Sequence, residues 1–231
     1  MAQFFRGFRH GAPFLIVIIP FAVLFGVVSR EAGLAVSEAL IFSAVVVAGA
    51  AQFTALQLVM DNAPMVIVIV SALAVNLRMV MYSAAMTPHF GPGPRWMRVL
   101  TAYLLVDQTF AQCSLEFERA PTLTLFEKFG YFMGNSAIVY PSWLAGTAVG
   151  SLLGAAIPAD FGLEFALPIA FLSMIGPLLR TPAHIIAALT GAALSLICAG
   201  VPYNLGLILG GLGGMIAGAQ VEQWQSKRTT P

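Results

Sequence analysis

Residues 64–87 read PMVIVIVSALAVNLRMVMYSAAMT. The stretch holds a single charged side chain, Arg78, and it is as long as the ~17–25 residues with which an α-helix spans a hydrocarbon core. Apolar residues follow one another without period-2 alternation, which favours a helix over a barrel strand. Working outward, further apolar segments occupy 13–28, 39–60, 97–115, 129–157, 161–179, 183–199 and 203–221. The separators are short and rich in Gly, Pro or charge, as turns are.

Composition agrees with this pattern. Of 231 residues 59% are hydrophobic and only 9% are charged, with a mean hydropathy of +0.88. A soluble domain carries about 25% charged residues. So apolar a chain is neither disordered nor an ordinary soluble enzyme, and its net charge of +1 offers nothing to nucleic acid. The expected fold is therefore all-α: a polytopic membrane helix bundle of about 6–8 apolar segments, in one integral membrane domain over residues 1–231. No Gly-Lys-Ser/Thr phosphate loop occurs, which excludes ATP hydrolysis by this chain. Cys113 and Cys198 lie in apolar stretches and read as core-filling residues. His10, His89 and His184 lack metal-ligand spacing and read as interfacial. No cofactor and no metal is expected.

The N-terminal Gln3-Phe4-Phe5-Arg6-Gly7-Phe8-Arg9-His10 is a basic, Phe-rich lead-in to a retained first span rather than a cleaved leader, since no small-residue cleavage site follows. Lys and Arg mark cytoplasmic loops. Arg6 and Arg9 place the N-terminus inside, Arg95 and Arg98 ask the same of the 88–98 loop, and Lys227 and Arg228 of a 222–231 tail. Three full crossings before residue 88 would put that loop outside, so one early segment must fail to cross. The second is the suspect, because Gly49-Ala50-Ala51-Gln52-Phe53 sets small residues and a polar side chain at its centre. Irregular backbone at that depth is tolerated only inside protein or along a cavity. An internal echo (Ala32-Gly33-Leu34 then Glu38-Ala39-Leu40, against Phe161-Gly162-Leu163 then Phe165-Ala166-Leu167) divides the chain into repeats 1–115 and 129–221. With three net crossings each, the halves would be inverted, as in many transporters; chance similarity of apolar stretches explains the echo equally well. Pro20, Pro141, Pro168 and Pro177, with Gly49 and Gly176, are expected to interrupt their helices. The ladders Gly146-Gly150-Gly154 and Gly206-Gly210-Gly214-Gly218 read as close internal helix packing.

A charge at the bilayer centre costs at least ~2.5–3.5 kcal/mol. Arg78, two residues after Asn76, and Asp107, beside Gln108, are the strongest such signals. They can form a buried ion pair that either locks two helices or handles substrate or proton. Asn76 and Arg78 fall on opposite faces of a regular helix, so either the helix breaks there or the two serve different surfaces. Gln52, Gln57 and Asn135 are milder signals, Glu164 reads as interfacial, and Asp61 as a cap at a tight turn.

Gly49-Ala50-Ala51-Gln52-Phe53, Asn76-Leu77-Arg78 with Tyr82, and Asp107 with Phe110-Ala111 resemble, in that order, the motifs of the AzlC family. The resemblance runs from about Gly7 to Gly218. It implies the large subunit of a branched-chain amino acid exporter in the cytoplasmic membrane, driven by the proton-motive force and paired with a small AzlD-like subunit of about four segments. Two departures matter. Met79 stands where the family often has His, and Gln108 where it often has Glu, which removes one titratable acid.

The function expected is a secondary transporter and not an enzyme. Its cargo is a zwitterion with an aliphatic tail. Arg78, Asn76 and a half-helix end at Gly49 and Gln52 are the candidate carboxylate donors, Asp107 the ammonium acceptor, and Phe53 and Phe110 the apolar wall. Asp107 is also the candidate proton carrier, because a carboxyl released from Arg78 in apolar surroundings favours its neutral form. The alternative is a non-transporting scaffold in which Arg78–Asp107 is only a lock. An intramembrane enzyme is disfavoured, since no second acid, Ser–His pair or metal set accompanies Asp107.

Overall fold

A computed structural model of the chain describes residues 1–154, 179, 181–201 and 205–229. Nearly all of segment 161–179, with Glu164, Pro168, Gly176 and Pro177, lies outside the described residues, as do the second half of the echo and the side chains of Lys227 and Arg228. The regular elements among the described residues are all helical. They are α1 Ala2–Gly11, α2 Leu15–Glu31, α3 Val36–Val45, α4 Gly49–Met60, α5 Met65–Phe90, α6 Arg95–Tyr103, α7 Asp107–Arg119, α8 Leu125–Gly154, α9 Pro182–Ile197 and α10 Leu205–Thr229. Three stretches among them are long and apolar enough to cross a membrane: Ala2–Glu31, Met65–Phe90 and Leu125–Gly154. The chain is an all-α membrane protein.

Contacts divide the chain into two units, Met1–Gln57 with Val75–Phe161 and Leu58–Ala74 with Gly162–Pro231. In the second, α9 and α10 pack antiparallel. Gly218 meets Ala183 and Ala187, Gly214 meets Ala187 and Gly191, and Gly206 meets the Cys198 carbonyl. The Gly206–Gly218 ladder is thus spent on internal packing, as its four-residue spacing predicts.

In the first unit α1 passes through a 3-10 turn (Ala12–Phe14) into α2, and the resulting rod runs parallel to α8 along its length. Gly134 lies against Phe4, Gly7 against Tyr131, Gly146 against Ala22, Gly150 against Val23 and Gly154 against Val27. A Cβ at Gly150 would overlap the Val23 carbonyl, so only glycine permits this approach. Pro20 and Pro141 lie inside helices that continue past them, so the expected interruptions there do not occur.

The breaks fall elsewhere, in the second and fourth apolar segments. α3 stops at Val45 and α4 starts at Gly49. The stiff β-branched run Val45-Val46-Val47 precedes glycine, and Gly49 sits where a Cβ would press on Phe21 and Trp143. α6 stops at Tyr103 and α7 starts at Asp107. Thr109 stabilises this second break: Val106 N–H donates to its Oγ1 at 2.9 Å, and its hydroxyl lies 3.2 Å from the Leu104 carbonyl.

The α6–α7 pair doubles back. Trp96 at the start of α6 packs on Phe129 (5.3 Å) and Phe117 near the end of α7 packs on Tyr131 (6.3 Å), so both ends lie beside the start of α8. Its apex reaches the middle of α8, where Tyr103 Oη lies 2.8 Å from Tyr140 Oη. The end of α5 also lies at the start of α8, with Phe90 5.6 Å from Phe132. Within the first unit Phe42 of α3 packs on Phe25 (5.8 Å), Gly49 lies against Phe21, and Phe53 of α4 packs back on Phe25 (5.3 Å), so the second segment turns back on itself beside α2, as the fourth does beside α8.

Candidate functional site

The site grows from the apex of the α6–α7 hairpin. The break makes Asp107 the first residue of α7, where the helix N-terminus favours a carboxylate. Arg78 Nη2 lies 3.1 Å from Asp107 Oδ2, and Tyr82 Oη donates to Oδ1 at 2.9 Å. Arg78 and Tyr82 are four apart on α5, hence on one face. Tyr82 in turn stacks on Phe110 with ring centres 4.1 Å apart and planes 11° from parallel. Four residues from two elements thus form one unit: cation, carboxylate, hydroxyl and aromatic wall.

The ion pair is only partly covered, with the Arg78 and Asp107 side chains 34% and 31% exposed. Arg78 Nε is buried with no hydrogen-bond partner among the described residues. The exposed parts of the guanidinium and of the carboxylate stand side by side, so an arriving zwitterion would find a donor for its carboxylate beside an acceptor for its ammonium.

The sequence expectations divide. Arg78, Asp107 and Phe110 come together. Asn76 does not join them, because α5 is unbroken through 76–78 and the two side chains serve different surfaces; Asn76 Oδ1 is buried without a partner among the described residues. Gly49, Gln52 and Phe53 belong to another cluster. Phe53 is buried against Phe21 (4.8 Å) and Phe25 (5.3 Å). Gln52 is fully buried, its Nε2 donates to Ser43 Oγ at 3.1 Å, and Ser43 Oγ lies 3.2 Å from Thr147 Oγ1. This chain of polar groups fastens the α3–α4 hairpin to α8. Those three residues build the break rather than face the ion pair.

Sequence reading missed the joint between the hairpins. Tyr103 Oη donates to the Ala44 carbonyl in the last turn of α3 and also meets Tyr140 on α8. The two broken helices are thus tied at mid-depth, next to the apex that carries Asp107. Two tyrosines in apolar helices gave no sign of this. Glu116, just past the apolar segment 97–115, lies on α7 at 2% exposure with Arg6 Nη2 2.9 Å from its Oε1. The pair is close but not aligned as a hydrogen bond. His10, read as interfacial, has Nδ1 2.8 Å from Tyr131 Oη. Among the described residues no three of His, Cys, Asp and Glu gather to hold a metal.

The family model described as AzlC protein matches residues 13–157, which contain both hairpins and the ion pair. A Helicobacter pylori protein described as an uncharacterized membrane protein is 28% identical over 203 residues, 86% of this chain and 87% of its own. An Archaeoglobus fulgidus protein with the same description is 29% identical over 208 residues, 84% of each chain. The Escherichia coli inner membrane protein YgaZ is 25% identical over 225 residues, 93% of this chain and 91% of its own. No solved structure matches the chain.

Proposed function

The chain belongs to the AzlC family, and from that premise we propose that it is the permease subunit of a secondary transporter that exports branched-chain or related apolar amino acids. The observation that carries the proposal is the partly exposed Arg78–Asp107 pair, joined by Tyr82, at the tip of a re-entrant hairpin. Irregular backbone and charge at mid-depth are tolerated where they line a path, and broken helices at the midplane are a transporter device. Arg78 takes the cargo carboxylate, Asp107 the ammonium, and Phe110 with neighbouring aliphatic residues the side chain. A proton and the cargo ammonium compete for the same Asp107 carboxylate, so protonation of Asp107 accompanies cargo release, which links export to the proton-motive force. A small AzlD-like subunit completes the assembly.

The membrane is the cytoplasmic (inner) one, with the N-terminus inside. Supporting that orientation, Arg6, Arg9, Arg95, Arg98, Arg119 and Lys128 belong to helix ends or loops on the face where α1 begins, whereas Arg30 stands at the end of α2. The C-terminal Lys227 and Arg228 ask for the same side.

The test is leucine and valine export from cells that express the full chain with its partner. Arg78→Ala and Asp107→Asn should each abolish export while the protein still reaches the membrane. Wild-type export by both variants would remove the site assignment.

A further inference from the structure

α1 has two faces of different character. Phe4, Gly7 and Gly11 turn toward α8, where Phe4 lies on Gly134, Gly7 on Tyr131, and Gly11 on Asn135 and Ile138. Residues three and four apart share one face of a helix. Ala2, Phe5, Arg6, Arg9 and His10 make up the other face, where they line an open groove of about 500 Å³.

The groove lies at the depth of lipid headgroups. The rod Ala2–Glu31 has 30 residues, roughly 45 Å at 1.5 Å per residue, against a hydrocarbon core of about 30 Å. Its apolar run begins only at Pro13, so α1 is the part that projects beyond the core. Exposed aromatic side chains mark the same level: Phe5 and Phe8 on α1, Trp96 at the start of α6 and Phe126 at the start of α8. Such aromatic belts sit at the boundary between membrane and water.

The groove offers cations without matching acids. Arg9 is exposed and has no ion-pair partner among the described residues. Arg6 sets Nη2 against Glu116 at 2.9 Å, yet its side chain is still 48% exposed. His10 meets the Tyr131 hydroxyl through Nδ1 at 2.8 Å, which leaves Nε2 for the groove. Of the acids on neighbouring helix ends, Glu116 is spent on Arg6, Glu118 is exposed outside the groove, and Glu127 caps α8 through Thr124.

We propose that this face of α1 is a docking site for an anionic phospholipid. Arg9, the outward donors of Arg6 and His10 hold its phosphate, and its acyl chains run past Phe5 and Phe8 into the bilayer. Arginine forks match phosphate oxygens, and a basic face beside aromatic residues is what holds an interfacial helix on anionic lipid. A lipid fits better than a soluble anion because α1 is the groove's one wall. A free ion there would stay open to water, whereas a lipid brings its own acyl chains to close the other side. This site is independent of what the protein carries.

The experiment is native mass spectrometry of the delipidated full-length chain, titrated with phosphatidylglycerol or with phosphatidylcholine. The wild type should bind phosphatidylglycerol at least about tenfold more tightly than phosphatidylcholine. One basic residue near an anionic surface contributes about 1 kcal/mol, close to fivefold in affinity. Arg9→Gln should therefore lose about fivefold for phosphatidylglycerol and almost nothing for phosphatidylcholine. Arg6→Gln combined with Arg9→Gln should bring the two lipids to within about twofold of each other. Arg98→Gln, on α6 and outside the groove, should bind as the wild type does. Phosphatidylglycerol affinity of Arg9→Gln within about twofold of wild type overturns the proposal. So does an equal loss in Arg98→Gln, which would reveal only a diffuse positive surface. Ammonium phosphate that displaces phosphatidylglycerol where ammonium acetate of equal ionic strength does not would assign the groove to a soluble anion and overturn the lipid. Because Arg9 is exposed and unpaired among the described residues, its variant decides the outcome even if the double variant fails to fold.

Discussion

Replacing Asp107 by Asn separates the two roles that its pair with Arg78 can have. The amide keeps the shape and can still accept the Tyr82 hydroxyl that now bonds Oδ1 at 2.9 Å. It removes the charge that faces Arg78 at 3.1 Å. An uncompensated arginine at mid-depth costs about 2.5–3.5 kcal/mol on insertion scales. A third of the Arg78 side chain is already accessible, so part of that penalty is relieved by water, leaving about 1–2 kcal/mol of lost stability. Removing both charges, in Arg78→Gln with Asp107→Asn, should return stability to within about 0.5 kcal/mol of wild type, because no lone charge remains. Thermal unfolding in detergent reads the first quantity and leucine export the second. The single variant should melt lower and not export, whereas the double variant should melt as wild type does and still not export. A double variant that recovers both would show the pair to be a lock between helices and would refute the reasoning that cargo is held there.

Three other outcomes follow from the packing. Gly150→Leu should lower stability by about 1–3 kcal/mol, as overpacking does, since any Cβ there meets the Val23 carbonyl; the melting temperature checks it. Tyr103→Phe strips the Ala44 carbonyl of its hydroxyl partner and unties the two hairpins, so a single cysteine placed at Val47 should react faster with a water-soluble maleimide than it does with Tyr103 present. Tyr82→Phe should keep the stack on Phe110 but remove a hydrogen bond to a charged group, worth about 1.5–3 kcal/mol, and raise the KM for leucine export several-fold with little change in expression.

The amino-acid order by itself determined the class of protein. Long apolar runs and scarce charge leave no other solvent than lipid, and four-residue glycine spacing announces where helices touch. It also singled out Arg78 and Asp107, because a charge in hydrocarbon is costly enough to stand out in a one-dimensional reading. It located trouble in the second segment from Gly49 and Gln52 and from the loop charges, but not the matching return at residues 104–106. Leu104-Leu105-Val106 is as apolar as any spanning stretch, and the cap that ends the helix there is a threonine hydroxyl whose partners are decided by backbone geometry. Only the tertiary structure sorted the polar residues into those that face the ion pair and those that fasten a hairpin. Gln52 and Asp107 look alike as polar intrusions, yet one meets Ser43 and the other Arg78, because adjacency across helices depends on where each chain segment turns. The same holds for Tyr103, Tyr140 and Glu116, whose roles come from partners 37 to 110 positions away in the chain (Tyr103–Tyr140 and Arg6–Glu116), a separation that no local pattern encodes.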